Sequence, residues 1–530
     1  MFVSLFNPNS RPILFNPWLW MHLDGKRLTA KYRASKMFLP PSFGQVLNAS
    51  EWFELEISMK VPVFHGFLRK TTLLVSLAAA SQAMIFAQPS GPVERFQLLN
   101  GLRVELLSRP GDQDVLLKLR IHSGSAFDLA GKGGSMALLG DLLFPDPTTR
   151  EYFTEEMQGR LNVATDYDSI TITMQGRARE FEKIAEILRT ALVTTQLTPE
   201  NVNRAREGRI KIIKDTSISS STLADRAIAA RLFGDFPYGR PSTGTAESLE
   251  RIERGDLMLA RERFLNPNNA TLVIIGGVER ARANRALRQL LGGWRKSEAI
   301  IPGTFQQPTV PDARILIMNT PADQSAEVRI AVRGFARNDP DSQAAMLLAL
   351  VARKRWETLL PDLTRNPVFV RHDAFSLPGI FVMGATVDNL LAAKTLSIAQ
   401  EVLKSLTSQP VTETELEAAR SQAIAGLGKQ LGTNDGTADT WLDVDTYSVA
   451  SGDDQLRALA KISSNDLKRA ANRLFWNVPI ATAVIGNSEV LKLQLERFGK
   501  IELFGELPAA SGATKDPGAS KQQTKQTPKP

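Results

Sequence analysis

The side chains that could bind a transition metal are few in this chain. It contains no cysteine and four histidines, His22, His65, His122 and His372. A tight zinc site needs three or four ligands close together, and no third histidine or thiol stands near any of these. His122 falls in an alternating strand pattern, and His372 lies between two charged residues. We therefore expect surface or hydrogen-bonded histidines at these positions.

Three aspartates offer a different metal chemistry. Asp141 lies in a predicted helix, whereas Asp166 and Asp168 follow a predicted strand where a turn is expected. Carboxylates alone favour Mg²⁺ or Ca²⁺ over Zn²⁺. We expect Asp166 and Asp168 to be solvent-exposed turn residues. A metallopeptidase that binds a harder ion through these three aspartates is an alternative that the sequence leaves open.

Residues 124–144, GSAFDLAGKGGSMALLGDLLF, carry a helical pattern. Met136, Leu139 and Leu143 recur at helical spacing, which taken alone is typical of an ordinary helix packed on a core. On a helix, positions i and i+4 share one face. Two histidines there can bind one zinc ion while a glutamate beside the second acts on the bound water. The segment contains no histidine.

The same segment resembles, without a gap, the pattern GSRxExxxxxGLAHFLEHMLF of pitrilysin/insulinase-type metallopeptidases, in which an inverted His-x-x-Glu-His box binds zinc. Ala137 and Asp141 stand at the two histidine positions, and Gly140 stands at the glutamate position. Alanine has no donor atom, glycine has no side chain to act as a base, and only Asp141 could coordinate an ion. The resemblance implies a member of the family without its zinc box.

Further family patterns follow in the same order along the chain. The matching stretches are residues 100–104 (NGLRV), 161–165 (LNVAT), 233–241 (FGDFPYGRP) and 266–273 (NPNNATLV). Each is weak alone, but their order and spacing favour the family. Its third zinc ligand is a glutamate on a later helix, and counting back from Gly234 places that position at Lys211, with Ile212 beside it. A lysine cation would repel zinc.

The surrounding pattern predicts how these segments are positioned. Strand patterns come first, and helical patterns follow, including one with Thr198 as N-cap and Pro199 at its first position. An internal repeat of roughly 210 residues pairs the two parts of the chain. Its matched residues include Leu249 with Leu459, Asp256 with Asp466, and Arg206 with Arg420. We predict an α+β fold of two homologous domains, each a mostly antiparallel sheet with helices on one face.

The predicted domains cover residues 93–292 and 312–507. A linker rich in proline and glycine joins them at 293–311, and a tail at 508–530, rich in Lys, Gln, Pro and Ser, is predicted to be disordered. Residues 1–58 are interpreted as an extension from an upstream start codon. Residues 59–87 read as a signal peptide, with Arg69 and Lys70 before an apolar run that ends in small residues. We expect export to a periplasm, and no stable membrane span after cleavage.

The second domain offers one candidate substrate-binding residue. In the family's two-chain enzymes, the resemblance implies, the partner chain's second domain supplies an arginine and a tyrosine that help to hold the peptide. The corresponding residues 348–375 lack the glycine pair of the pattern, and no tyrosine lies there. Arg365 is the candidate arginine, with a surface role as the alternative, and Phe369 is the nearest aromatic residue.

Together these observations predict a non-catalytic subunit of a secreted heterodimeric zinc peptidase that encloses and orients peptides. No cofactor is expected in this chain, and zinc is expected in a homologous partner. The net charge of +8 is mild for 530 residues, and no nucleic-acid-binding motif accompanies it. The alternatives are a stand-alone peptide-binding scaffold and the metallopeptidase with atypical ligands described above.

We predict that processing removes everything up to Ala83 or Ala87, because small residues there end the apolar run. N-terminal sequencing of the protein from its native host tests this. A mature chain that starts at Met1 would contradict both the start-site and the export interpretation.

Overall fold

The computed structural model describes residues 92–216, 218–298, 306–320, 324–360 and 364–504, together with three N-terminal strands. Contacts divide the chain into Met1–Gln88 and Pro89–Pro530. In the first unit, β1 (Trp18–Asp24), β2 (Arg27–Arg33) and β3 (Phe53–Leu55) pair as an antiparallel meander. The predicted signal peptide and C-terminal tail lie outside the described residues.

The second unit contains two six-stranded sheets, and the first of them belongs to residues 92–298, called here the first half. Its strands are β4 (Glu94–Gln97), β5 (Arg103–Ser108), β6 (Asp114–Ile121), β7 (Arg160–Thr165), β8 (Ile170–Arg177) and β9 (Ala270–Gly276). Their spatial order is β4-β5-β9-β6-β8-β7. All neighbours are antiparallel except β5 and β9. Strand β7 therefore lies at a sheet edge.

The first half contains eight α-helices in the described residues. They are α1 (Ser135–Asp141), α2 (Pro147–Glu151), α3 (Phe181–Arg189), α4 (Pro199–Asp215), α5 (Ser220–Phe233), α6 (Ala246–Glu250), α7 (Arg254–Phe264) and α8 (Arg280–Leu291). Helix α4 begins as predicted, since the Thr198 side chain accepts a hydrogen bond from the Asn201 N–H and Pro199 occupies the first turn.

Residues 306–504, the second half, repeat this plan. The strands are β10 (Ile315–Asn319), β11 (Ser325–Arg333), β12 (Phe369–Asp373), β13 (Ile380–Asp388), β14 (Ala481–Gly486) and β15 (Ile501–Phe504), in the order β12-β13-β11-β14-β10-β15. The helices are α9 (Ser342–Leu359), α10 (Ala392–Ser408), α11 (Glu413–Leu431), α12 (Asn434–Tyr447), α13 (Gly452–Lys461), α14 (Ser464–Phe475) and α15 (Ser488–Leu495). In the described part of the chain, no helix is long and apolar enough to cross a membrane.

The predicted fold class is confirmed, and the sequence repeat corresponds to equivalent elements. Helices α7 and α14 both begin with a capping box, formed by Glu253 with Asp256 and by Ser463 with Asp466. The prediction of helices on one face needs a refinement, because each half also places one helix on the other half's sheet. Helix α5 packs on the second sheet and α12 packs on the first.

The two exchanged helices bury their contacts differently. Helix α5 presents mainly apolar side chains to the second sheet, whereas α12 adds a row of ion pairs to a smaller apolar contact. One buried cation supports α5: Arg329 of β11 is 1% exposed and bonds Asp225 of α5 at 2.6 Å and Glu327 at 3.0 Å. This group ties the halves together, because Arg329 belongs to the second half and Asp225 to the first.

We predict that Arg329→Met lowers the free energy of unfolding by about 3 kcal/mol, because it leaves the buried Glu327 without its cation. Urea titration of the chain measures this. Arg365→Met is the matched control, since its partner Asp388 and Arg365 itself are about half exposed, and we expect a loss below about 1 kcal/mol. Equal losses would contradict a special role for the Arg329 group.

Candidate functional site

The helix that carries the degenerate zinc box is held at its start by a buried carboxylate. Asp128 accepts hydrogen bonds from the backbone N–H groups of Gly134 at 2.6 Å and Met136 at 2.8 Å. Burial raises the pKa of Asp128 to about 7, against the lowering effect of these two donors. Gly134 has a φ of 92°, and a Cβ there would lie 2.8 Å from the Thr243 carbonyl oxygen. The start of α1 is therefore tightly specified.

An ion pair occupies the face of α1 where the box resemblance would place zinc. The Arg209 Nε of α4 lies 2.7 Å from the Asp141 carboxylate, and Arg209 Nη2 donates to the Ala137 carbonyl oxygen at 3.1 Å. Ala137 is 1% exposed, and the Arg209 side chain is 17% exposed. One guanidinium thus contacts both box positions at which the family has histidines.

Lys211, the residue predicted at the third-ligand position, does not contact the box helix, whereas Arg209 on the same helix does. Lys211 is exposed, and Ile212 is 67% exposed. Two residues along a helix turn the side chain by about 200°, so Lys211 points away from the face that Arg209 presents to α1. Counting back from Gly234 assumed a fixed spacing across the break between α4 and α5, and the spacing of such connections varies.

The position of the family's glutamate is closed by strand β7. A Cβ built on Gly140 would lie 2.9 Å from Thr165 Oγ1 and 3.5 Å from Val163 Cγ1. A longer side chain there would require Thr165 to move. In residues that the structure describes, no group of three or more His, Cys, Asp or Glu side chains could hold a metal ion. Asp141 pairs with Arg209 instead.

Beside α1, the edge strand β7 borders an open polar cleft. Its side chains alternate, with Asn162 and Ala164 exposed and Leu161 and Val163 half-buried. The cleft measures about 380 Å³ and lies between β6, β7 and β8 on one side and α12 on the other. Its lining includes Lys118, Arg120, Asn162, Ala164, Asp166, Arg337, Asp439, Asp443 and Tyr447. An extended peptide could meet both polar side chains and a sheet edge here.

The wall of the cleft formed by α12 is attached through ion pairs. Lys118 Nζ lies 2.8 Å from Asp439, and Arg120 bonds Asp443 at 2.6 Å and Asp439 at 3.1 Å. Both cations are nearly buried, with side chains 8% and 9% exposed. Reasoning from the sequence missed this contact. The sequence does contain both patterns that predict it: aspartates recur at every fourth position of α12, and cations recur at every second position of β6.

The two histidines within the described residues are hydrogen-bonded, as expected. His122 contacts Thr446 Oγ1 through Nδ1 and Thr271 Oγ1 through Nε2, both at 3.0 Å. His372 Nε2 accepts the Phe335 N–H at 2.9 Å. Burial lowers the pKa of each histidine to about 4, so both rings are neutral at pH 7.

The aspartates after β7 differ from one another. Asp166 is exposed, as predicted, and its carboxylate accepts the N–H groups of Asp168 and Ser169 within the turn. The expectation of an exposed Asp168 is wrong, because this residue is 5% exposed and bonds Tyr238 and Ser376. Burial raises the pKa of Asp168 to about 6.

Arg365 has a local partner in the second half. Its Nε lies 2.6 Å from Asp388 at the end of β13, and its backbone N–H donates to the Thr386 carbonyl oxygen. The side chain is 49% exposed. A contact between Arg365 and a peptide stays a prediction.

Comparison with known proteins agrees with this architecture. The family model described as "Peptidase M16 inactive domain" matches residues 251–423. The mitochondrial-processing peptidase subunit beta of Lentinula edodes is 23% identical over 434 residues, which covers 76% of this chain and 92% of that protein. An uncharacterised zinc protease of Mycobacterium leprae is 22% identical over 358 residues, covering 64% of this chain and 79% of that one.

These matches support the pitrilysin/insulinase-type, or M16, peptidase family. Solved structures share the M16 fold. A peptidase M16 inactive domain from Pseudomonas fluorescens superposes with a TM-score of 0.67 at 18% identity, covering 75% of this chain and 98% of that one. A chain of complex III from Candida albicans gives a TM-score of 0.66 at 17% identity, covering 77% and 100%.

The placement of Arg209 leads to a test of the degenerate box. We predict that Ala137→His, Asp141→His and Arg209→Glu together create a zinc site that binds at least about tenfold more tightly than the same two histidines with Lys211→Glu. Glutamate at 209 supplies a third ligand and removes the cation, whereas residue 211 faces away. Isothermal titration measures both affinities. Gly140 is left unchanged because of Thr165, and equal affinities would contradict the assigned register.

Proposed function

We propose that this chain is a non-catalytic M16 subunit that encloses and orients peptides for a zinc-bearing homologue. One observation carries the proposal: the zinc-box face is filled by Arg209 and Thr165, while the adjacent edge strand β7 and its cleft are open. The chain thus combines a filled zinc-box face with an exposed edge strand to which a peptide can bind. The hydrolysis belongs to the partner, and the catalytic zinc is bound there.

The peptide binds, in this proposal, by adding a strand to β7. Backbone groups on the free edge supply main-chain hydrogen bonds, and alternate peptide side chains face either the cleft or helix α1. Asn162 and Ala164 lie on the cleft side of β7. Most residues that line the cleft are polar or charged, so polar peptide side chains suit it better than large apolar ones.

A homologous partner is supported by the relatives. The Lentinula edodes protein is named as a subunit of a peptidase, and the Candida albicans chain was solved as part of complex III. We extend this to the present chain and place the pair in the periplasm, on the signal-peptide pattern alone. A harder ion bound by Asp141, Asp166 and Asp168 is less well supported, because Asp141 is engaged by Arg209 and Asp168 by Tyr238 and Ser376.

Co-expression with a homologue that carries an intact His-x-x-Glu-His box tests the proposal. We expect one heterodimer peak in size-exclusion chromatography and a peptidase activity above that of the catalytic chain alone. Ala164→Arg in this chain should raise the KM of the pair, because a long side chain then fills the cleft beside β7.

The matched control is Ala281→Arg, which adds the same side chain at an exposed position of α8. This variant should leave dimerisation and KM unchanged. Equal activity with and without the present chain would exclude the subunit role, and peptide binding by this chain without any partner would favour the stand-alone scaffold.

A further inference from the structure

Three motifs from the sequence meet at one buried point between the two halves. The turn between β7 and β8 contains Asp168, and the PYGRP loop contains Tyr238. The Gly124 turn reaches the same place, since the Ser125 N–H donates to the Asp166 carbonyl oxygen at 2.9 Å. A Cβ on Gly124 would lie 2.4 Å from that oxygen, so the turns touch backbone to backbone.

Backbone groups of the second half bind directly to Asp168 and Tyr238. Asp168 Oδ1 accepts the Tyr238 hydroxyl at 3.2 Å, and Oδ2 accepts the Ser376 N–H at 3.0 Å. The Tyr238 hydroxyl in turn accepts the Leu377 N–H at 3.1 Å. Tyr238 is 3% exposed, and its ring packs against Phe375 with centroids 4.7 Å apart. Asp168, Tyr238, Ser376 and Leu377 are called here the turn junction.

The turn junction joins equivalent parts of the repeat. Asp168 lies in the turn after the edge strand β7, and Ser376 lies in the turn after β12, which is the edge strand of the second sheet. The junction therefore holds the ends of the two edge strands at a fixed separation. The loop after β12 also reaches helix α12, because the Arg337 N–H donates to the Phe375 carbonyl oxygen at 2.7 Å and Arg337 Nη2 lies 2.6 Å from Asp443.

We propose that Asp168 and Tyr238 are positioning residues for the peptide: by holding the turn after β7 against the second half, they set the separation between edge strand β7 and helix α12. This inference rests on the proposed function, in which a peptide occupies that space. Neither side chain touches the peptide. Both act through the turn and through the backbone of Ser376 and Leu377.

A variant series separates positioning from plain stability. Tyr238→Phe removes one hydroxyl, which takes away the acceptor of the Leu377 N–H and one donor to Asp168. Asp168→Ala removes both acceptors, and Asp168→Asn keeps one acceptor oxygen. Tyr167→Phe is the matched control, because the Tyr167 hydroxyl lies in the same aromatic cluster but donates to the Arg240 carbonyl oxygen within the first half, at 2.8 Å.

The first measurement needs no partner. Hydrogen exchange on the mature chain should show faster exchange at the Leu377 amide in Tyr238→Phe and at the Ser376 amide in Asp168→Ala, each by about fivefold. Tyr167→Phe should leave both amides protected as in the wild type. Unchanged exchange in Tyr238→Phe and Asp168→Ala would show that the junction does not hold the loop, and would overturn the inference.

The second measurement uses the heterodimer with its zinc-bearing homologue and a fluorogenic peptide. We expect Tyr238→Phe and Asp168→Ala to raise KM by about fivefold with kcat nearly unchanged. The KM of Asp168→Asn should lie between those values and the wild-type value. Tyr167→Phe should have the wild-type KM. Faster exchange with an unchanged KM would leave the subunit function intact and overturn the positioning role. If the wild-type chain fails to raise the partner's activity, the proposed function fails, and the positioning role fails with it.

Discussion

The attachment of helix α12 to the first sheet depends on a match between two repeats. Two residues along a strand advance by about 6.7 Å, and four residues along a helix advance by about 6 Å. Lys118 and Arg120 of β6 therefore align with successive aspartates of α12, and His122 aligns with Thr446. Because the two cations are nearly buried, each needs its carboxylates, and a shift of α12 by one residue would break the whole row. This alignment attaches the wall of the cleft to the first sheet.

The contact between the box helix α1 and helix α4 shows how an ion pair can replace a metal ion as a cross-link. In the family resemblance, zinc would join the box helix to a glutamate on a later helix. Here Arg209 joins α4 to α1 through a side chain and a backbone carbonyl. The two helices keep their packing, and the face between them is occupied. The loss of catalytic groups is thereby compatible with a stable domain, since the Asp141 carboxylate is paired with Arg209.

Much of the fold could be predicted from local patterns, and the errors arose where distant segments meet. The alternation of strands, the Thr198 cap and the repeat between α7 and α14 depend on short stretches, and the structure confirms them. The burial of Asp168 depends on Ser376, 208 positions away, so a turn-like sequence gave the wrong expectation. The placement of the third-ligand position on α4 has a related weakness, because counting across a loop cannot distinguish Arg209 from Lys211.

The exchange of helices between the halves also constrains how the chain can reach its native state. Helix α5 is made long before β14, yet Ala224, Ile228 and Leu232 pack against strands that include Ala481 and Ile485. A growing chain therefore carries an apolar helix without its complete sheet until nearly the whole sequence has emerged. Such surfaces favour aggregation of incomplete chains. The exchange of helices stabilises the finished protein. During synthesis, however, the apolar face of α5 must be protected until the second sheet has formed.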